Sequence, residues 1–322
     1  MIRFIITHSG RFHADDVCAA AVLSCIHRDA TLIRTRDDGL MDRLQDEAII
    51  FDVGRRYEPT RGRFDHHMRD APEREDGTPY SSFGLVWKHL GQDYLRCLIA
   101  DADQTVLRDI HERIDERMVR PIDMVDTGRL SPAQMGSVAG ISLPELIDTM
   151  NPPFDPDVGE EQAERRARDA FSSAVSLVDA MLSARVVDLE AAIRSRAEIE
   201  TEIRQNWGDP ILVLKSPGDA QAVIDALEAR HVLMIVQPSS SGGYGLTVGR
   251  RCAGSYDNLV DLPAAWGGLS GADLREATGV EGATFCHSAL FFAAATTREA
   301  AHDLARLALG ALEPAQDPSP NP

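Results

Sequence analysis

The chain has 322 residues, a formal net charge of −18 and a hydrophobic content of 43%, which suits two globular domains but not a protein that coats long nucleic acids through a basic surface. We expect no membrane-spanning segment and no signal or transit segment, because we find no sufficiently long apolar run and the first apolar stretch is short. The five cysteines are scattered without a Cys-x-x-Cys pair, so we expect neither disulfides nor a thiolate zinc site, and a cytoplasmic protein.

The first third of the sequence alternates between predicted strands and helices. In chain order these are a strand at 3–7, an Ala-rich helix at 15–27, a strand at 48–53, and a helix at 81–90 that begins at an N-cap serine and is closed by Gly91. This alternation is typical of a doubly wound parallel sheet, the α/β class. Ligands of such sheets bind beyond the carboxyl ends of the strands, where His8 and Asp52 lie.

The rest of the sequence predicts a helical connector and a second, smaller domain. Residues 93–120 and 159–206 have helical patterns; beyond them come apolar strands at 211–214, 232–236 and 244–248 and helices at 218–230 and 297–311. We therefore predict a catalytic domain over 1–206 that includes the connector, a smaller α+β domain over 207–313, and a disordered, proline-rich tail over 314–322.

Side chains of metal-ligand type occur at strand ends and in loops of the first domain. They are His8, His13, Asp15, Asp16, Asp52, Asp65, His66, His67 and Asp126. Each alone is more often a packed, surface or turn residue, but Asp-His-His after a strand that ends in Asp is rare in a structural loop. Imidazole mixed with carboxylate, without thiolate, suits Mn²⁺, Co²⁺, Fe²⁺ or Zn²⁺ better than Mg²⁺.

These residues belong to longer motifs that resemble a known family. The motifs are 7–17 (THSGRFHADDV), 52–54 (DVG), 64–67 (FDHH), 80–91 (YSSFGLVWKHLG), 122–128 (IDMVDTG), 151–154 (NPPF), 262–269 (LPAAWGGL) and 282–289 (GATFCHSA). Together they resemble the DHH phosphoesterase superfamily, which includes RecJ exonucleases, oligoribonucleases and family II inorganic pyrophosphatases. Within it, the chain is most similar to the branch named after a melanocyte-proliferating gene product.

The resemblance implies a dinuclear metal site. It gives one metal to His8, His13 and Asp52, and a second metal to Asp15, Asp52, His66 and Asp126. Asp52 would bridge the two metals. Asp16 and Asp123 are competitors for the roles of Asp15 and Asp126. Mn²⁺ is the expected metal, with Co²⁺, Fe²⁺, Zn²⁺ and Mg²⁺ as alternatives.

The resemblance also implies substrate contacts. His67 would donate to a phosphoryl oxygen or to the leaving group; the alternative is that it only orients a metal ligand. The second domain resembles the substrate-binding domain that follows the DHH domain. There His287 and Arg298 would contact phosphate, although Arg298 could also be a solvated residue in the first turn of the last helix.

The function that follows is a metal-dependent phosphoesterase. The most plausible activity is that of a 3′-5′ exonuclease on RNA or short oligonucleotides, with attack by water activated at two metals in a cleft between the domains. Two alternatives stay open: hydrolysis of a small molecule such as pyrophosphate or a cyclic dinucleotide, and a metal-stabilised binding or regulatory protein without turnover. We expect no membrane partner, and the sequence leaves the oligomeric state open, a homodimer included.

Overall fold

A computed structural model of the protein describes residues 1–312, so the predicted disordered tail at 314–322 lies outside the described residues. The chain forms two compact units, Met1–Glu190 and a second unit that begins at Ala191. The division falls inside a long helix, whereas the predicted domain boundary lies after Asn206, at the end of that helix. Each unit contains one five-stranded sheet.

The sheet of the first unit is mainly parallel. Its strands are β1 (Phe4–Thr7), β2 (Thr31–Arg34), β3 (Ala48–Phe51), β4 (Tyr57–Glu58) and β5 (Arg63–Phe64). They lie in the order β2-β1-β3-β5-β4, and only the edge strand β4 is antiparallel to its neighbour. The predicted strands at 3–7 and 48–53 are thus present, and their carboxyl ends meet at one edge of the sheet.

Eight helices start in the first unit. They are α1 (Ala14–Ile26), α2 (Asp38–Leu44), α3 (Ser82–Leu98), α4 (Gln104–Ile114), α5 (Arg120–Asp126), α6 (Pro132–Met135), α7 (Leu143–Thr149) and α8 (Glu160–Gln205). Helix α1 packs against α3, and both bury apolar side chains such as Leu23 and Trp87. This packing holds the N-terminus of α1 beside the end of β1.

The predicted end of α3 at Gly91 is wrong, because the helix continues to Leu98. Gly91 is required for packing: a Cβ there would lie 2.8 Å from the ring of His111 and 2.9 Å from that of Trp87. The indole of Trp87 stacks on His111 with ring centroids 5.2 Å apart. A glycine that permits close packing within a helix has the same sequence signal as one that ends a helix.

Helix α8 corrects the expectation that no segment is apolar enough to span a membrane. Within the described residues, this one helix contains an 18-residue window of mean hydropathy 1.4, which meets that condition by length and composition alone. Its side chains at every third or fourth position, from Phe171 through Val178 to Leu189, are buried. Core helices of water-soluble proteins meet the same condition, so this property assigns no location.

The second unit is a mixed sheet with helices. Its elements are β6 (Ile211–Val213), α9 (Ala220–Ala226), β7 (Met234–Pro238), β8 (Tyr244–Val248), α10 (Gly271–Thr278), β9 (Ala283–Cys286), β10 (Phe292–Ala295) and α11 (Arg298–Ala311). The strand order is β6-β7-β8-β10-β9, with β6 parallel to β7 and the other pairs antiparallel. The chain as a whole is a mixed α/β protein.

Candidate metal centre

His8 follows the last residue of β1 and is buried with its ring nitrogens in defined contacts. Nδ1 lies 3.1 Å from the carbonyl oxygen of Ser9, to which it can donate. Nε2 faces two carboxylates, at 3.2 Å from Asp16 Oδ2 and 3.1 Å from Asp52 Oδ2. Burial disfavours the charged ring, but these two carboxylates outweigh it and raise the pKa of His8 to about 10. An imidazole held through one nitrogen in this way presents the other to a metal.

Asp52 follows β3 in a left-handed backbone conformation, with φ of 56°, which Asp tolerates better than most residues. Its two oxygens face opposite partners. Oδ2 faces His8, whereas Oδ1 lies 3.2 Å from Nε2 of His66 and accepts a hydrogen bond of 3.0 Å from the hydroxyl of Ser82. Burial would raise the pKa of Asp52, but His66 and His8 hold it below its ordinary value.

Asp15 lies in the first turn of α1 and is only 1% exposed. Neither of its carboxylate oxygens has a hydrogen-bond partner within residues 1–312. Burial, followed by the charges of Asp52 and Asp126, raises the pKa of Asp15 well above its ordinary value. A buried carboxylate without a donor costs several kcal/mol unless a cation or a proton compensates it, so the residues present fit a bound metal.

The ligand-type atoms form three groups, in each of which they lie within 4.8 Å of one another. The groups are His8, Asp16 and Asp52; His13, Asp15 and Asp126; and Asp52, His66 and His67. All six predicted ligands are therefore brought together. The grouping differs from the prediction at two points. His13 joins Asp15 and Asp126, while Asp16 takes its place beside His8 and Asp52. His66 groups with Asp52 and His67, although its Nε2 also lies 3.4 Å from Oδ2 of Asp126.

Asp16 was expected only as a competitor of Asp15. In the structure its two carboxylate oxygens face different neighbours. Its Oδ1 accepts a hydrogen bond of 2.8 Å from the backbone N–H of His13, which caps α1. Its Oδ2 faces Nε2 of His8. Burial raises the pKa of Asp16, and the neighbouring His8 opposes that rise. The second competitor, Asp123, is engaged elsewhere: it accepts hydrogen bonds from Ser81 and Arg74.

Asp65 fixes the loop that carries the two adjacent histidines. Its Oδ1 accepts from the backbone N–H groups of His66 and His67 and lies 2.8 Å from Nδ1 of His67. Its Oδ2 accepts from the backbone N–H of Arg55. The bond to Asp65 raises the pKa of His67. The His67 side chain is 56% exposed, so its Nε2 is free to meet a ligand.

The loop that carries His13 is held from two sides. The side chain of Asn151 accepts from the backbone N–H of Phe12 and donates to its carbonyl, both at 2.9 Å. Arg34 donates to the carbonyl of Gly10 at 2.7 Å, and its guanidinium lies 4.4 Å from the centroid of the Phe171 ring. The motif at 151–154 therefore contributes to the site through Asn151, which braces the loop.

A cavity of about 1050 Å³ opens over these groups within the first unit. Its wall contains most of the candidate ligands and His67, together with apolar and basic residues outside the metal groups. The residues of metal-ligand type in the lining are His8, His13, Asp38, Asp42, Asp52, Asp65, His66, His67 and Asp126. The site is thus accessible to a molecule larger than water.

The two predicted phosphate contacts of the second unit do not come together. His287 follows the end of β9, whereas Arg298 follows the end of β10 at which Ala295 pairs with Ala283, the first residue of β9. They lie at opposite ends of this strand pair. Nδ1 of His287 accepts from the backbone N–H of Ala289 at 3.0 Å, which places the proton of the neutral ring on Nε2, whereas Arg298 pairs with Glu299 on the surface.

Fold and site together define a mixed α/β protein whose clustered imidazoles and carboxylates could bind metal ions. The sequence profile of MYG1_exonuc, described as an uncharacterised protein family (UPF0160), matches residues 4–309. The chain therefore belongs to this family. Because its mammalian relatives are named exonucleases, it is an enzyme of the hydrolase class.

Similar proteins are spread across eukaryotes. The chain is 27% identical to the MYG1 exonuclease of Bos taurus over 98% of this chain and 87% of the relative, and 26% identical to that of Homo sapiens over 94% and 85%. It is 27% identical to the MYG1 protein YER156C of Saccharomyces cerevisiae over 96% of each. No solved structure gives a significant match.

Proposed function

We propose that the protein is a metal-dependent phosphodiesterase of the DHH type, acting as a 3′-5′ exonuclease on RNA or short oligonucleotides. The observation that carries the proposal is the buried, donor-free carboxylate of Asp15 within three groups of ligand-type atoms at the edge of a parallel sheet. The mammalian relatives are named exonucleases, which supports a nucleic-acid substrate. The predicted catalytic domain at 1–206 and substrate-binding domain at 207–313 belong to the same proposal.

Two divalent cations, Mn²⁺ first among them, fit the donor set. His8, Asp16 and Asp52 would hold one, with His13, Asp15, Asp126 and His66 around the other and Asp52 facing both. When bound, such ions lower the pKa of water toward neutrality and neutralise phosphate charge. The protein's own contribution is to hold the ligands: Ser82 orients Asp52 and Asn151 braces the loop of His13.

His67 is the group best placed to act on the substrate. Asp65 holds its Nδ1, which leaves the exposed Nε2 to donate a proton to a phosphoryl oxygen or to the departing alkoxide. The raised pKa of His67 keeps the ring protonated nearer to neutral pH than a free histidine. In the second unit, the Nε2–H of His287 would donate to phosphate, and Arg298, at the other end of the strand pair, would not share that contact.

The test is hydrolysis of three substrates side by side with added Mn²⁺. They are a short RNA labelled at its 5′ end, inorganic pyrophosphate and bis(p-nitrophenyl) phosphate. We expect a ladder of RNA products shortened one nucleotide at a time from the 3′ end. Turnover of pyrophosphate alone would support the small-molecule alternative, and no turnover of any substrate by metal-loaded protein would support a binding or regulatory role. A cytoplasmic location and a homodimer stay predictions.

A further inference from the structure

The cavity over the metal groups extends well past them. Besides residues of metal-ligand type, its lining contains the apolar residues Met41, Ile50 and Val53 and the arginines at positions 36, 55, 56 and 63. Two carboxylates, Asp38 and Asp42, face the same space. Apart from the candidate ligands and Asp65, the lining thus carries four guanidinium groups against two carboxylates, in a chain whose net charge is −18.

Three of these arginines are exposed and free to bind an anion. Arg36, Arg55 and Arg56 form no ion pair with any residue in the part of the chain that the structure describes. Arg36 is tethered next to the metal groups, because its Nε donates at 3.1 Å to the carbonyl oxygen of Ser9, the neighbour of His8. The tether leaves both terminal nitrogens of Arg36 available as donors.

Arg55 and Arg56 lie on the turn that follows Asp52. Gly54 and Arg55 both have a positive φ, 93° and 54°, which is strained for an arginine. The backbone N–H of Arg55 donates to Oδ2 of Asp65, and the backbone N–H of Asp65 donates to the carbonyl oxygen of Arg56. Asp65 thus binds both His67 and the backbone of the turn at Arg55 and Arg56, which fixes the position of this turn relative to His67.

Arg63 adds a buried positive charge to the lining of the cavity. It is buried, and its guanidinium donates only to backbone carbonyl oxygens, of which Gln45 at 2.6 Å and Ala48 at 2.9 Å are examples. Its guanidinium forms no ion pair within residues 1–312, although the carboxylates of Glu58 and Asp46 lie near enough to act on its charge. A buried cation in the lining of the cavity favours an anion that enters it.

We propose that Arg36, Arg55 and Arg56 form a second anion subsite, which binds the phosphate next to the one that is hydrolysed. The nucleoside between the two phosphates would lie over Met41 and Val53. This inference rests on the proposed function and narrows its substrate class: the enzyme prefers chains with at least two phosphodiesters. A dinucleotide, with one phosphodiester, leaves the subsite empty.

The experiment compares the trinucleotide UpUpU with the dinucleotide UpU in the Mn²⁺-loaded protein. For the wild-type protein we expect kcat/KM to be about ten- to hundred-fold higher for the trinucleotide, the range of one or two charge-assisted hydrogen bonds. In Arg55→Gln and in Arg36→Gln/Arg55→Gln this ratio should fall toward one. Arg108→Gln, which removes an exposed arginine of α4 outside the cavity, should keep the wild-type ratio.

Two controls separate this inference from the proposed function. Metal content, measured by elemental analysis, should be the same in Arg55→Gln and wild type, because the side chain of Arg55 forms no hydrogen bond or ion pair with a candidate ligand within residues 1–312. If the wild-type protein hydrolyses neither substrate, the proposed function fails; binding of fluorescent UpUpU to the Mn²⁺-loaded protein then tests the subsite. We expect Arg55→Gln to weaken the binding of UpUpU. The slope of log K, where K is the association constant, against log[salt] should become shallower by about 0.7 per lost phosphate contact.

The proposal is overturned by equal trinucleotide preference in wild type and both variants while RNA is still hydrolysed. It is also overturned if, in the absence of hydrolysis, Arg55→Gln and Arg108→Gln bind fluorescent UpUpU equally well.

Discussion

At the scale of single residues, Asp52 connects the metal groups. Its Oδ2 faces His8 and its Oδ1 faces His66, so Asp52→Asn would remove an oxygen ligand from one bound metal and the shared negative charge from both. We expect Asp52→Asn to lose both metals or nearly so, and His13→Ala, which belongs to one group only, to weaken one. Elemental analysis of the purified variants measures this. Two equivalents of metal retained by Asp52→Asn would refute the bridging role.

His67 has two possible roles, contact with the phosphoryl group or support of a metal ligand, and one substitution distinguishes them. If its Nε2 contacts the phosphoryl group, His67→Ala should keep both metals and lower kcat by about 10²- to 10⁴-fold. If it only supports a ligand, metal affinity should fall first, by about 10- to 100-fold. Titration of Mn²⁺ against the turnover of the variant distinguishes these results, and wild-type turnover at saturating Mn²⁺ would end the catalytic assignment.

The residue types of the site could be predicted from the sequence, but their partners could not. His8, Asp52 and His66 are recognisable because they follow strands or stand in a rare motif. Asp16, instead of His13, lies beside His8 and Asp52. This depends on how the first turn of α1 is rotated toward β1, and the order of residues in the sequence does not give that rotation. The contact between Ser82 and Asp52 could not be predicted either, because the two residues are 30 positions apart in sequence.

At the scale of elements, strands and helices with regular apolar patterns were predicted close to their observed bounds. Strand β8 has the predicted bounds, Tyr244–Val248, and α11 begins one residue after the predicted start at 297. The strand β2 was missed because its residues are mostly half-buried and carry no alternation of apolar and polar side chains. The two-residue strands β4 and β5 are too short for any periodic signal.

Helix α3 gives a test of packing beside the site. A Cβ on Gly84 would lie 2.3 Å from Oδ2 of Asp123, which is itself held by Ser81 and Arg74. We expect Gly84→Ala to lower the free energy of unfolding by about 1 to 3 kcal/mol, as overpacking does. Urea unfolding of the full chain, followed by circular dichroism, measures the change.

Gly310→Ala is the matched control for that substitution. Gly310 lies in α11 with no atom within 4 Å of the added Cβ, so alanine should stabilise the protein by about 0.5 to 1 kcal/mol. Equal stability of Gly84→Ala and wild type would show that the contact with Asp123 relaxes without cost.

At the scale of the whole molecule, metal binding should stabilise the fold. Four carboxylates, of Asp15, Asp16, Asp52 and Asp126, repel one another in the metal-free site, and burial raises the pKa of three of them. A ligand that binds only the folded state adds about 2.7 kcal/mol at a concentration 100 times its Kd. We expect Mn²⁺ to raise the Tm of chelator-treated protein by several degrees and Mg²⁺ to raise it less, because imidazole favours the transition metal. Equal shifts would contradict the mixed ligand set.

The central claim is that phosphodiester hydrolysis depends on metals bound at this site, and a stoichiometric titration tests it most directly. Protein freed of metal by chelation and dialysis is titrated with Mn²⁺ while the hydrolysis of a short labelled RNA is followed, with Asp52→Asn treated in parallel. We predict no activity without metal, a rise that saturates near two equivalents, and no rise in Asp52→Asn. Full activity of the wild-type protein in excess chelator, or equal activation of Asp52→Asn, would contradict the account.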